Sequence, residues 1–451
     1  MSTSLVNRPG TLRPLLALVW PVLIEQMLAM LVGFSDMLLA GHYLGRPHLA
    51  AMTMLSYGLW AAENMFAFVA IGAMALIARY AGAGNPQGAN RVCNQSFVAG
   101  GILAVAVTTL GIAFGPHLVA AMQLEGEAAR LATRYLYWTL PMLPMMMLEA
   151  IGIACLRGTG DMVMALVARA LVNVIDIALS WSLLLGVGPL PELGWDGLAI
   201  GTAAGYGLGG LLPLAVLVRG QGGLQVRWAL LRPDWQLIRR ILRIGVPGGI
   251  DIMSMIGCQL IFVGLINTLG ELAAAAHGVA IRIESLAYLP GTAFQVAAAT
   301  LAGQYLGAGD YRRATRSVLV ACLTGGAVMA AAGLTFFFGA ESLVPLFVRT
   351  SQADVISTTA PLLRIISVAM VPLALVMVLT GALRGAGDTR WPLLFSLIGF
   401  LVIRMPAAYL LAYVWGWGIQ GAWYAMVIDL VVRCAMVMYR FWHGGWQRIE
   451  V

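Results

Sequence analysis

The chain has 451 residues, of which 60% are hydrophobic and only 10% charged, where an ordinary soluble domain carries about 25% charged residues. That composition excludes a soluble globular protein and requires a surface that faces lipid. The net charge of +7 comes wholly from arginine, since none of the 27 basic residues is lysine. The arginines are spread over short loops rather than gathered on one face, as membrane topology requires and a nucleic-acid partner does not.

Twelve apolar runs follow one another along the chain: 13–40, 48–78, 92–120, 128–156, 162–187, 195–219, 239–268, 272–305, 314–340, 355–383, 390–416 and 419–442. Each is long enough to cross the hydrocarbon core as a helix, which takes about 20 residues. The first is too long for a signal-peptide core and lacks a cleavage site, so it is expected to remain as the first span. Turn formers stand at the joints, as in Gly84-Asn85-Pro86, Gly186-Val187-Gly188-Pro189 and Gly416-Trp417-Gly418. The expected fold class is therefore all-α integral membrane, with twelve transmembrane helices.

Motifs recur at a nearly fixed offset. Leu156-Arg157-Gly158-Thr159-Gly160-Asp161 returns 227 positions later as Leu383-Arg384-Gly385-Ala386-Gly387-Asp388. Pro21 with Glu25 is echoed by Pro247 with Asp251, and Gly82-Ala83-Gly84-Asn85 with Arg91 by Gly307-Ala308-Gly309-Asp310 with Arg316. A constant offset across several motifs marks a duplicated unit. The expected domains are an N-terminal six-helix bundle over 1–218, a basic cytoplasmic linker over 219–238 and a C-terminal six-helix bundle over 239–451. Six spans per copy is an even number, so both copies enter the membrane in the same sense, related by a pseudo-twofold axis along the membrane normal.

Arginine sets the orientation. With the N-terminus inside, Arg8 and most other arginines fall in cytoplasmic segments. The opposite side holds only Arg46, Arg130, Arg134 and Arg349, with the acids Glu125, Glu127, Glu192 and Glu271. Both termini are then cytoplasmic by the positive-inside rule.

Charges within spans are costly, by about 2.5–3.5 kcal/mol each, and so call for a role. Asp36 lies near the outer end of the first span. Glu25, 11 positions earlier and nearly three whole turns away, shares its face. Pro21, at the head of that stripe, removes a backbone donor and predicts a hinge. In the fifth span Asn173, Asp176 and Ser180 project from one side, at a depth comparable to Asp36. Carboxylate, amide and hydroxyl oxygens together make a proton or hard-cation site, or else a structural polar seam. Secondary candidates are Asp251, which matches Glu25 across the repeat, and Arg282 and Glu284, which sit two apart and need partners elsewhere. Asp161 and Asp388 are placed as helix N-caps. The five cysteines and five histidines show no metal-ligand spacing, and a chain without lysine holds no Walker motif. No catalytic constellation, metal or cofactor is expected.

At these residues the sequence resembles the multidrug and toxic compound extrusion (MATE) family. The likeness rests on Pro21 and Asp36, the doubled Leu-Arg-Gly-Thr/Ala-Gly-Asp turns, Gly245-Val246-Pro247, Ala276-His277, Arg282-Ile283-Glu284-Ser285 and Gly303-Gln304 with Leu306-Gly307-Ala308-Gly309-Asp310. The resemblance implies a V-shaped pair of bundles in a bacterial inner membrane, monomeric and in contact with lipid. It implies export of organic cations, drugs or metabolites by alternating access in exchange for H⁺ or Na⁺. It also implies that Asp36 serves in ion coupling. Two departures stand out. Where relatives read Asn-x-x-x-Asp in the fifth span, Asp176 falls on the Asn and Ser180 on the Asp. The seventh-span glutamate of the sodium-coupled branch falls on Met255, one turn beyond Asp251. Both favour H⁺ over Na⁺ and place the chain nearer the DinF-like branch than the NorM-like one. Two other readings compete: a lipid-linked precursor flippase, which calls for several inward arginines, and an intramembrane enzyme, which calls for a nucleophile or acid–base pair.

Overall fold

Long apolar runs separated by glycine and proline fold into α-helices, because in lipid each backbone polar group must be satisfied within its own segment. The computed structural model describes residues 10–121, 126–187, 190–220, 223–348 and 352–449. Arg8, Glu125, Gly188, Pro189 and Arg349, which carried orientation and turn expectations, lie outside them. The helices are α1 (Leu12–Tyr43), α2 (Arg46–Met65), α3 (Ala67–Gly82), α4 (Pro86–Ala121), α5 (Gly126–Thr139), α6 (Leu143–Thr159), α7 (Val163–Leu185) and α8 (Trp195–Val218). They continue as α9 (Trp235–Asn267), α10 (Glu271–Gly307), α11 (Tyr311–Leu343), α12 (Ala353–Ser367), α13 (Met370–Gly385), α14 (Arg390–Leu397), α15 (Met405–Tyr409) and α16 (Gly418–His443).

Eleven helical stretches among the described residues are long and apolar enough to cross a membrane, and α12 with α13, bent by 53° at their junction, completes twelve. The expected twelve spans are therefore present, several of them broken. α2 and α3 make one span interrupted at Phe66. α5 and α6 join through the short turn Leu140–Met142, where Pro141 and Pro144 remove two backbone donors. The span Arg390–Val414 widens into π-helix at Ile398–Arg404 and Leu410–Val414.

The repeat is visible in backbone detail. Gly160 and Gly387 end α6 and follow α13 with φ of +94° and +88°. The Asp161 N–H donates to the Leu156 carbonyl at 2.9 Å and the Asp388 N–H to the Leu383 carbonyl at 2.8 Å, the Schellman closure that a left-handed glycine permits. The second motif repeats likewise, with Asn85 N–H to Tyr80 O and Asp310 N–H to Tyr305 O, both at 2.9 Å. Asp161 caps α7 by accepting the Met164 N–H at 3.2 Å. Asp388 accepts the Trp391 N–H and also pairs with Arg440 at 2.8 Å.

The chain divides into two compact units. Among the described residues, one holds Ile24–Gly249; the other holds 10–23 and 250–449. The changes of unit fall just after Pro21 in α1 and just after Pro247 in α9. The stretch 219–238, expected as the linker between the bundles, falls within the first unit. Its backbone is hydrogen-bonded to the start of α4. Asn94 binds the Gln225 carbonyl and the Arg227 N–H, both at 2.9 Å, and Gln95 binds the Leu230 and Arg232 carbonyls at 2.7 and 2.8 Å.

Candidate ion-coupling site

The site is built on a glycine seam. Gly197, Gly201, Gly205 and Gly209 recur one turn apart on α8 and face α7. A Cβ at Gly205 would lie 2.9 Å from Asp176 Cβ and 3.0 Å from the Val172 carbonyl, and one at Gly197 2.7 Å from the Leu183 carbonyl. Only glycine lets the two backbones approach this closely. The approach sets Asp176 and Ser180 of α7 against Thr202 of α8, with Asp36 of α1 beside them.

Asp36 and Asp176 are buried, at 4% and 0% exposure, although α1 is otherwise widely exposed around Gly33 and Phe34. Thr202 Oγ1 donates to Asp36 Oδ2 at 3.0 Å and also faces Asp176. The Tyr135 hydroxyl lies 3.1 Å from Thr202 Oγ1, and the Leu198 carbonyl is likewise 3.1 Å from it. Ser180 Oγ donates to Asp176 Oδ1 at 3.2 Å. Asp36 Oδ1 and Asp176 Oδ2 have no hydrogen-bond partner among the described residues, and no arginine among them pairs with either carboxylate.

This wiring accommodates a proton in two ways. With Asp36 ionised, Thr202 gives it the hydroxyl proton and accepts from Tyr135. With Asp36 protonated, the carboxyl donates to Thr202, which turns its own proton to the Leu198 carbonyl. A hydroxyl has one proton and two lone pairs, so Thr202 can partner the carboxyl in either state.

The structure brings Asp36, Asp176 and Ser180 together as the sequence indicated. Asn173 lies on the same face of α7 and is buried, but its Nδ2 donates to the Arg169 carbonyl at 2.8 Å and no described bond joins it to a carboxylate. Thr202 and Tyr135 were missed. The Gly-x-x-x-Gly spacing on either side of Thr202 was the available signal.

The secondary candidates divide. Glu25 is held by Arg157, whose Nη2 lies 2.6 Å from both carboxylate oxygens. Asp251 is held by Arg384, whose Nη2 donates to its Oδ2 at 2.7 Å. These compensated pairs tie α1 to α6 and α9 to α13, a structural use of both acids. Arg157 and Arg384 are themselves largely buried in these pairs. Glu284 is buried on α10 with both oxygens unpartnered among the described residues, while Arg282 is exposed. Pro21 lies within a continuous α1. The remaining span charges are neutralised locally. Arg169 meets Glu63 at 2.8 Å and Glu149 at 3.5 Å, and Asp429 is clamped by Arg404 at 2.6 Å and Arg433 at 2.8 Å. No group of three or more His, Cys, Asp or Glu side chains is placed to hold a metal ion among the described residues.

Twelve apolar spans built from a duplicated unit are the architecture of a membrane transporter. The MatE family profile matches residues 21–182 and again 247–410, and the chain belongs to that family, whose members are transporters rather than enzymes. The two matches fall on the two copies of the repeat. The chain is 28% identical over 450 residues to a probable multidrug resistance protein NorM of Thermotoga maritima, covering 98% of this chain and 95% of that one. It is 24% identical to the uncharacterized transporter YisQ of Bacillus subtilis, over 98% and 96% of the two chains. Among solved structures, an outward-facing multidrug resistance MATE transporter of the MOP superfamily superposes with a TM-score of 0.92 over the whole of both chains, at 22% identity. A MATE in the bent conformation matches at 0.90 over 97% of each, also at 22%. At that identity these likenesses concern the fold. The DinF-like placement drawn from the fifth and seventh spans stays an expectation.

Proposed function

We propose that the protein is a proton-coupled antiporter that exports organic cations, drugs or metabolites from the cytoplasm by alternating access. The reading further places it as a monomer in a bacterial inner membrane with both termini cytoplasmic. The observation that carries it is the buried pair Asp36 and Asp176, which share Thr202 and have no arginine partner among the described residues. Two carboxylates removed from water repel each other and lose hydration, so neutralising one of them is favoured. A proton does this with the hydroxyl chain already in place. Binding and release of that proton then bias whichever arrangement of α1 suits each state. Substrate efflux in exchange for H⁺ follows if substrate and proton favour opposite arrangements.

Sodium is the second reading, because the same oxygens are hard ligands. The one-turn displacement of the fifth-span acid and Met255 in the seventh span weigh against it. A flippase for a diphosphate needs free inward arginines. Arg169, Arg364 and Arg404, which lie within apolar runs, are each engaged by an acid, which disfavours that function. Efflux of an organic cation from proteoliposomes under an imposed proton gradient, an imposed sodium gradient, or neither tests the reading. Transport is expected with the proton gradient alone and is expected to vanish in Asp36→Asn. Transport driven by sodium alone would overturn the proton assignment.

A further inference from the structure

The first unit contains a cavity of about 430 Å³ whose lining includes neither Asp36 nor Asp176. It lies between α2, α4 and the α5–α6 span, and every side chain on its walls is apolar except Thr139. That hydroxyl is already given to the Tyr135 and Leu136 carbonyls, at 3.1 Å each. Small-molecule sites of this size ordinarily present a few convergent polar groups that orient the ligand. With none here, and no acid to meet an organic cation, the cavity is suited to a hydrocarbon chain.

Glycines open it. Gly111 and Gly115 sit one turn apart on α4 against Leu140 and Leu136, and a Cβ placed on Gly58 of α2 would meet no atom within 4 Å. Three helices set its depth independently. The lining runs from Met54 to Met65, from Val107 to Val119, and from Ala132 to Leu143. At about 1.5 Å per residue each is roughly 16–18 Å long. One leaflet's hydrocarbon is about 15 Å, half of a core of about 30 Å. The groove therefore has the length of one leaflet.

Its end at Val119 continues into a polar cleft lined by Pro116, Val119, Glu127, Arg130 and Arg134, among others. Arg134 is committed to Asp196. Glu127 and Arg130, three apart on α5 and both exposed, present one negative and one positive charge on the same face. We propose that groove and cleft together bind a phospholipid with a phosphoethanolamine headgroup, an acyl chain lying between α2, α4 and α5, the phosphate on Arg130 and the primary ammonium on Glu127. An anionic headgroup would meet Glu127 without compensation. A quaternary ammonium has no proton to donate to it.

Native mass spectrometry of the detergent-purified protein tests this, by titration with phosphatidylethanolamine, phosphatidylglycerol and phosphatidylcholine of identical chains. The wild type should hold phosphatidylethanolamine at least tenfold more tightly than the other two. Gly58→Leu fills open space and should lower retention of all three at least tenfold, with an unchanged melting temperature. The double variant Glu127→Gln with Arg130→Gln alters only exposed side chains and should erase the headgroup preference. Wild-type retention in Gly58→Leu, equal binding of the three lipids by the wild type, or displacement of the lipid by tetraphenylphosphonium would each overturn the proposal.

Discussion

The two copies of the repeat treat the same place in opposite ways. At the offset of 226 that carries Glu25 to Asp251, Asp36 falls on Phe262; at the 227 that carries Arg157 to Arg384, Thr202 falls on Asp429 and Asp176 on Ile403, next to Arg404. In the first unit these positions hold two carboxylates without a cation. In the second they hold a carboxylate clamped by Arg404 and Arg433, with the Arg404 guanidinium 5.7 Å from the centre of the Phe262 ring and Phe400 4.8 and 4.3 Å from the two arginines. A buried carboxylate paired in this way has its charge compensated by its neighbours, whereas an unpaired one does not. The duplicated scaffold thus leaves one site uncompensated and braces its counterpart.

That contrast can be broken by exchanging the effects of mutation. The largest effect is expected from Asp36→Asn, which should reduce proton-driven efflux in proteoliposomes to the level of empty vesicles while leaving the melting temperature in detergent unchanged or raised. Asp429→Asn should do the reverse. It strands two buried arginines and should cost about 3–5 kcal/mol of stability, read as a sharp fall in melting temperature and folded yield. A stable Asp429→Asn protein, or an unstable Asp36→Asn one, would mean that the roles of the two units are misassigned.

Thr202→Val should lower efflux about tenfold with little change in melting temperature, since the hydroxyl is lost and the shape kept. Thr202→Ser should restore most of the rate; failure of that rescue would remove the hydroxyl from the mechanism. The smallest expected effect sharpens the symmetric part of the comparison. Glu25→Gln and Asp251→Asn each remove one partner of an equivalent pair at a partly buried surface and should destabilise by similar amounts, about 1–3 kcal/mol. Loss of efflux in one of them without loss of stability would give that acid a role in coupling.

Much of the fold was legible because membrane insertion writes itself into composition. Twelve apolar runs, the duplicated turns and the caps Asp161 and Asp388 need only local physics. Asp36, Asp176 and Ser180 were legible as charges and hydroxyls at a common depth. Thr202 and Tyr135 were not, because neither is unusual in a span and their role depends on how close α7 comes to α8. That closeness was written in Gly197, Gly201, Gly205 and Gly209. The Glu25–Arg157 and Asp251–Arg384 pairs were hidden by a separation of more than 130 residues, although the repeat carries acid and arginine together in both copies. The anchoring of 223–234 by Asn90, Asn94 and Gln95 is a matter of side-chain amides meeting loop backbone, which no periodicity announces.

If Asp36 exchanges a proton against substrate, a transported organic cation added to lightly buffered, sodium-free, detergent-purified protein should release protons that a pH-sensitive dye reports. Release is expected from the wild type and none from Asp36→Asn at saturating substrate. Equal release from both proteins would contradict it.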